Sequence, residues 1–256
     1  MLKRMLKTQI FIITIMLTQM IFAQSSKQYI LIHEKNGDVE LSRVSEIDSI
    51  TFCECKDYDG NTYDIVQIGD QIWMAENLKV TKYRNGDAII PVTSNSIWSS
   101  TTSGAYCAYN NVESNTVSFG YLYNWYAVND NRNIAPEGWH VPSDEEWEKL
   151  AQFISDDNGG YSKDWDNWNY VGAHLKSTSG WILGNGTDDY GFTGLPAGAR
   201  DNNGNFDMLG YVGCFWSASE YDTGNAWSRD LSYYDSYLRC NYFSKGNGFS
   251  VRCVRD

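Results

Sequence analysis

Basic residues are scarce in this chain of 256: 20 Lys and Arg stand against 32 Asp and Glu, a formal net charge of −12. The deficit excludes nucleic acid as a natural partner, because binding phosphates relies on clustered Lys and Arg. Solubility through like-charge repulsion accounts for the acidity without any partner. Histidine is rarer still, at three residues. His33, His140 and His174 have no Ser or Cys partner at a recognisable spacing, so no catalytic triad can be written. C-x-x-C and His-Cys clusters of ligand spacing are missing as well, which weighs against zinc. No second apolar run follows the first 23 residues, and no Cys follows that run to accept a lipid.

The first residues are unlike the rest. Lys3, Arg4 and Lys7 precede an apolar stretch from Ile10 to Phe22 that is interrupted by Thr14, Thr18 and Gln19. It falls short of the ~20 apolar residues a membrane span needs. The pattern reads as a signal peptide over residues 1–23, cleaved after Ala23. Losing its three positive charges moves the formal net charge from −12 to −15. The mature chain is therefore expected to be exported and to end up periplasmic, secreted or associated with the cell surface, with no transmembrane segment. Its six cysteines, Cys53, Cys55, Cys107, Cys214, Cys240 and Cys253, suggest disulfides in that setting, and sequence alone does not choose the connectivity.

Residues 24–56 read as a small β hairpin and linker. Tyr29 to Ile32 is strand-like, Asn36-Gly37 is a strong hairpin turn signal and Val39 to Leu41 alternates on the return. A helical turn at Ser45 to Asp48 would lead into Ser49 to Phe52. The main domain occupies residues 57–256. It opens with strands at Tyr63 to Ile68 and Gln71 to Met74, followed by a polar stretch from Lys82 to Asn115 in which Trp98, Tyr106 and Tyr109 would anchor a long loop. Two helices are legible. Leu122, Trp125 and Tyr126 share one face of Tyr121 to Val128. Ser143 and Glu146 form a capping box ahead of the stripe Trp147, Leu150, Ala151 and Ile154. The acidic Asp144, Glu145 and Glu146 complement the dipole of that second helix and need no catalytic explanation. Strand-like segments at Cys214 to Ser219, Ala226 to Tyr233, Tyr237 to Phe243 and Gly248 to Val254 complete an α+β domain whose two ends meet in one antiparallel sheet.

Several blocks are specific enough to name. Asp59-Gly60-Asn61, Trp73 to Leu78, Tyr121 to Trp125, Gly138 to Pro142, Glu146-Trp147, Leu175-Lys176 and Ser250 to Cys253 make the span from Asp57 to Asp256 resemble the Fibrobacter succinogenes major paralogous domain family. The resemblance implies a C-type-lectin-like fold, shared with the formylglycine-generating enzymes, in which the last strand closes against the first. It implies export or surface display and no established activity. The formylglycine-generating relatives hold copper with a pair of cysteines that has four residues between them. This chain has no such pair, and Cys53-Glu54-Cys55 lies before the domain. Relative to the family pattern, Cys214 and Cys240 are additional and suggest a Cys214–Cys240 bridge, while Cys107 and Cys253, which match it, suggest a second.

Two loops remain as candidate sites. Trp165, Asp166, Asn167 and Trp168 interleave aromatic faces with hydrogen-bonding groups, suited to a sugar or a protein partner, with loop packing as the alternative. Asp201, Asn203, Asn205 and Asp207 alternate as oxygen ligands of a calcium loop would, but Gly204 is misplaced for that pattern and a polar hairpin turn is the better reading. No other cofactor is implied. The expected role is non-catalytic binding or adhesion toward an extracellular glycan or protein. The alternatives are an exported enzyme with an unrecognised site and a structural subunit of a surface assembly.

Overall fold

A computed structural model describes Tyr29–His33, Val39–Arg43 and Cys55–Asp256. The expected signal peptide, the Asn36-Gly37 turn, the helical turn at Ser45 to Asp48 and the strand at Ser49 to Phe52 lie outside the described residues. The chain divides into two units, Met1–Cys53 and Glu54–Asp256. In the first, β1 (Tyr29–His33) and β2 (Val39–Arg43) pair antiparallel, with Tyr29 opposite Arg43 and His33 opposite Val39.

In the second unit, frequent turn residues keep the early strands short. β3 (Cys55–Lys56) and β4 (Thr62–Tyr63) flank a turn in which the Asp57 carboxylate accepts the Asn61 N–H at 2.9 Å. β5 (Ile65–Ile68) and β6 (Gln71–Met74) form a hairpin around Gly69-Asp70. The single strand expected from Tyr63 is interrupted at Asp64, whose N–H turns away to the Glu76 carboxylate. Next come β7 (Ile90–Pro91), α1 (Asn95–Ser100), β8 (Ala105–Cys107), α2 (Thr116–Phe119), β9 (Leu122–Tyr123) and α3 (Trp125–Val128).

The helix expected over Tyr121 to Val128 is thus half strand. Gly120, at φ +68°, ends α2 where a Cβ would sit 2.6 Å from the Leu78 carbonyl. Tyr123 then exchanges backbone hydrogen bonds with Phe249. The helix begins only after Asn124, whose side chain caps it by accepting the Ala127 N–H. After β10 (Trp139–His140), the helix α4 (Asp144–Asp157) matches expectation: both hydrogen bonds of the capping box form, and Trp147, Leu150, Ala151 and Ile154 are buried.

The remaining elements are β11 (Lys163–Asp164), β12 (Asn167–Trp168), α5 (Val171–Leu175), β13 (Ala197–Arg200), β14 (Phe206–Leu209), β15 (Val212–Glu220), β16 (Asn225–Ser232), β17 (Leu238–Ser244) and β18 (Val254–Arg255). The main sheet runs β11-β12-β17-β16-β15-β13-β14, antiparallel except where β13 meets β15. A second sheet, β10-β18-β6-β5, joins the two ends of the domain, with Val254 opposite Trp73. The domain is α+β with five short helices among the described residues, three more than expected. The strand expected over Gly248 to Val254 is mostly single bridges to Tyr123, Arg200 and Phe215. Only its end joins ladders, against β10 on one side and β6 on the other.

The expected disulfides are absent: Cys55, Cys107, Cys214, Cys240 and Cys253 are all unbridged. Strand β16 lies between the strands carrying Cys214 and Cys240, and Cys214 pairs with Asp230 whereas Cys240 pairs with its neighbour Arg229. Consecutive residues of a strand face opposite sides. The two thiols therefore project from opposite faces of strands two ladder spacings apart, about 9–10 Å, beyond the reach of a disulfide. Cys107 and Cys253 belong to different core clusters, one around Trp98 and Leu122 and the other around Met74 and Trp216.

Two devices hold these short elements. The first is aromatic. Trp73 and Trp147 pack with ring centroids 4.7 Å apart, and Phe192 and Phe215 meet Trp147 at 5.9 and 6.0 Å. The second is a set of buried cations that donate to loop carbonyls. Arg252 donates Nε to Asn77 and its terminal nitrogens to the carbonyls of Met74, Phe192 and Thr193. Arg200, between the rings of Trp98 and Phe206, donates to the carbonyls of Val92, Thr93 and Gly204 and to Asn95. Lys176 places all three of its protons on the carbonyls of Gly184, Ser232 and Asp235, and burial pushes its pKa down. These side chains satisfy acceptors that the loops could not satisfy among themselves.

Candidate functional site

The Trp165 hairpin is built from the sheet edge outward. Trp168 pairs with Leu238 of β17, and the Asn167 side chain accepts the Cys240 N–H at 3.1 Å, so the base of the hairpin is fixed to the main sheet. Lys163 reinforces it by bridging to Glu148 at 2.6 Å while lying over the Trp168 ring. Trp165 and Asp166 are the two-residue connection between β11 and β12. Such connections favour positive φ, a conformation that suits Gly, Asn or Asp. Here the position is held by tryptophan at φ +55°, with 91% of its surface exposed.

The structure separates the two tryptophans that the sequence grouped. Trp168 is only 5% exposed, packs into the core around Trp73 and Leu175, and donates its indole N–H to Glu148 at 3.1 Å. It is therefore scaffold. Asp166 is exposed beside Trp165, and Asn167 is turned inward onto β17. A bulky side chain with a left-handed backbone and almost no contact is an outlier that packing does not explain.

Further exposed aromatics lie on the adjoining sheet, where sequence reasoning did not place a site. The antiparallel register carries the hairpin tip toward Cys240, two residues from Tyr242 on β17. Tyr242 stacks on Tyr221 with centroids 3.9 Å apart and planes 7° from parallel, and Trp227 meets both rings edge-on. The alternation of β16 and β17 could have shown that Trp227 and Tyr242 share a face. Tyr221 comes from the loop after β15, and its stacking had no local signal.

The other sequence candidates have structural explanations. Asp201 accepts the N–H groups of Asn203 and Asn205 through Oδ1 and the Asn205 amide through Oδ2, making the turn between β13 and β14. Asp207 accepts the Met208 N–H. Among the described residues, no three His, Cys, Asp or Glu side chains gather as a metal site. His174 joins Asp189 at 2.5 Å and the Tyr161 hydroxyl at 2.8 Å, a carboxylate–imidazole–phenol alignment with no Ser or Cys member.

His140 is half-buried between two carboxylates, with Nε2 2.7 Å from Glu146 and Nδ1 2.6 Å from Asp256. Hydrogen bonding to Glu146 raises its pKa from 6.5 to about 9 despite burial. Burial opposes ionisation of Glu146, but its bonds to His140 and Ser143 outweigh that and lower its pKa to about 2. The stability His140 gains is full below pH 6.5 and is lost as pH rises through 9; that of Glu146 is present above 4.5 and is lost as pH falls through 2. The group contributes most between those two limits. Thermal melts of His140→Gln should show a larger deficit against wild type at pH 5.5 than at pH 9.5; equal deficits would exclude the ionic account.

Residues 66–255 match the model of the Fibrobacter succinogenes major domain, and the chain belongs to that family. No curated protein and no solved structure matches the chain.

Proposed function

We propose that the chain is an exported, non-catalytic binding or adhesion protein with a C-type-lectin-like domain, and that the Trp165 hairpin is its contact with an extracellular glycan or protein. The observation that carries this reading is Trp165 itself: 91% exposed, left-handed, and raised on a hairpin whose base is tied to the sheet. Exposed tryptophan is the residue type most often found to dominate interface energetics. The junction of both domain ends in one sheet supports the lectin-like reading of the fold. A catalytic reading has the Asp189–His174–Tyr161 alignment in its favour, and it ranks second because the alignment supplies no Ser or Cys nucleophile.

Binding of the purified protein to a glycan array and to a panel of extracellular proteins tests the proposal. Trp165→Ala should weaken the strongest interaction by about 30-fold, the equivalent of a ~2 kcal/mol hot spot. Its circular dichroism should be unchanged. Undiminished binding by the folded variant would remove Trp165 from the contact.

A further inference from the structure

A cleft of about 430 Å³ lies beside α3, lined by Ser103, Gly104, Trp125, Tyr126, Asn129 and Asn131 together with Thr102 and Asp130. Its volume falls within the range of small-molecule sites, about 300–1,000 Å³. We infer that it binds a small neutral polyhydroxylated ring, a mono- or disaccharide, independently of the Trp165 contact.

Chemistry selects that class. Tyr126, half-buried, supplies the aromatic surface, Trp125 being only 3% exposed, while the Tyr126 hydroxyl, the Asn129 and Asn131 amides and the Ser103 hydroxyl make no hydrogen bond to other described residues. Each amide carries both a donor and an acceptor, and each hydroxyl can serve as either. A sugar ring presents the complement, hydroxyls around its rim and C–H groups on its faces. Asp130 is the one charged residue in the lining, and Arg132 pairs with it at 2.7 Å. The cleft therefore offers an anionic ligand no free cation.

The walls are set before any ligand arrives. Asn124, 1% exposed, accepts the N–H groups of Ala105 and Ala127 and donates to the Ser103 carbonyl at 2.9 Å. One side chain thus caps α3 and clamps the Ser103–Ala105 segment beside it. Gly104 makes the close approach possible, since a Cβ there would lie 1.9 Å from the Tyr83 hydroxyl and 3.0 Å from the Ala127 Cα. A rigid cleft loses little conformational entropy when it is filled.

Isothermal titration of the full chain with cellobiose, maltose, lactose and N,N′-diacetylchitobiose tests the inference, with glucuronic acid as the anionic control. At least one neutral sugar should bind with a millimolar or better dissociation constant, and glucuronic acid should bind more weakly. Tyr126→Ala and the double variant Asn129→Ala/Asn131→Ala, all at half-buried or exposed positions, should weaken binding at least 10-fold without altering the melt. Trp165→Ala should leave this titration unchanged, which keeps failure at the cleft distinct from failure at the hairpin. Absence of heat with every neutral sugar, or binding that survives the cleft variants, overturns the inference.

Discussion

Replacing Arg252 with methionine is expected to destabilise the domain by about 4 kcal/mol or more, because four acceptors lose their donor at once. Three are the backbone carbonyls of Met74, Phe192 and Thr193, and the fourth is the Asn77 side chain. Arg252 is fully buried, and water cannot replace it without opening the core. A buried acceptor left unpaired costs about 1–3 kcal/mol, against a total stability of about 5–15 kcal/mol for a typical domain. The guanidinium is itself buried without an ion pair among the described residues, and burial lowers its pKa to about 9. That desolvation penalty is relieved by the substitution, but the orphaned carbonyls remain. Arg252→Lys should recover only part of the loss, since one ammonium cannot reach acceptors arrayed around a planar fork. Urea denaturation of the three proteins reads the effect; a methionine variant within 1 kcal/mol of wild type, on the order of a surface substitution, would show that the carbonyls find other donors.

Trp147→Ala should be comparably severe, about 3–5 kcal/mol for a fully buried tryptophan. Its ring fills the space between Trp73, Phe192 and Phe215 and joins α4 to both sheets. The informative control is Trp147→Phe. The indole N–H of Trp147 is buried with no partner, so phenylalanine gives up volume but no hydrogen bond and relieves an unsatisfied donor. It should keep more than half of the stability that alanine loses. Equal losses in the two variants, by chemical denaturation, would mean that the N–H has an acceptor after all.

The aromatic scaffold was legible in the sequence, and the cationic one was not. Trp73, Trp125, Trp139, Trp147 and Trp216 are all buried as their ordered blocks suggested, because large apolar side chains carry one strong preference. Arg200, Arg252 and Lys176 gave no such signal: charged residues are normally exposed, and only the fold shows which carbonyls converge on them. The capped helix α4 was readable because its capping and its stripe are local. The 121–128 helix failed because long-range pairing of Tyr123 with Phe249 overrode the local periodicity. Disulfide reasoning failed for a similar cause, since the order of β15, β16 and β17 decides which cysteines can meet. At the candidate site, the sequence grouped Trp165 and Trp168 in one loop, and the structure leaves only Trp165 exposed. A two-residue hairpin turn at Trp165-Asp166 leaves room for only one of the two tryptophans at the tip.

The most direct test of the functional account is the melting temperature of Trp165→Gly. A left-handed backbone costs a non-glycine residue about 1–2 kcal/mol, and glycine occupies it freely. If Trp165 is held there for an external partner, the glycine variant should melt at the same temperature as wild type or as much as ~4 °C higher, while losing the binding that wild type shows. A variant that melts several degrees lower would mean that Trp165 packs onto the fold, and the proposed contact would have no basis.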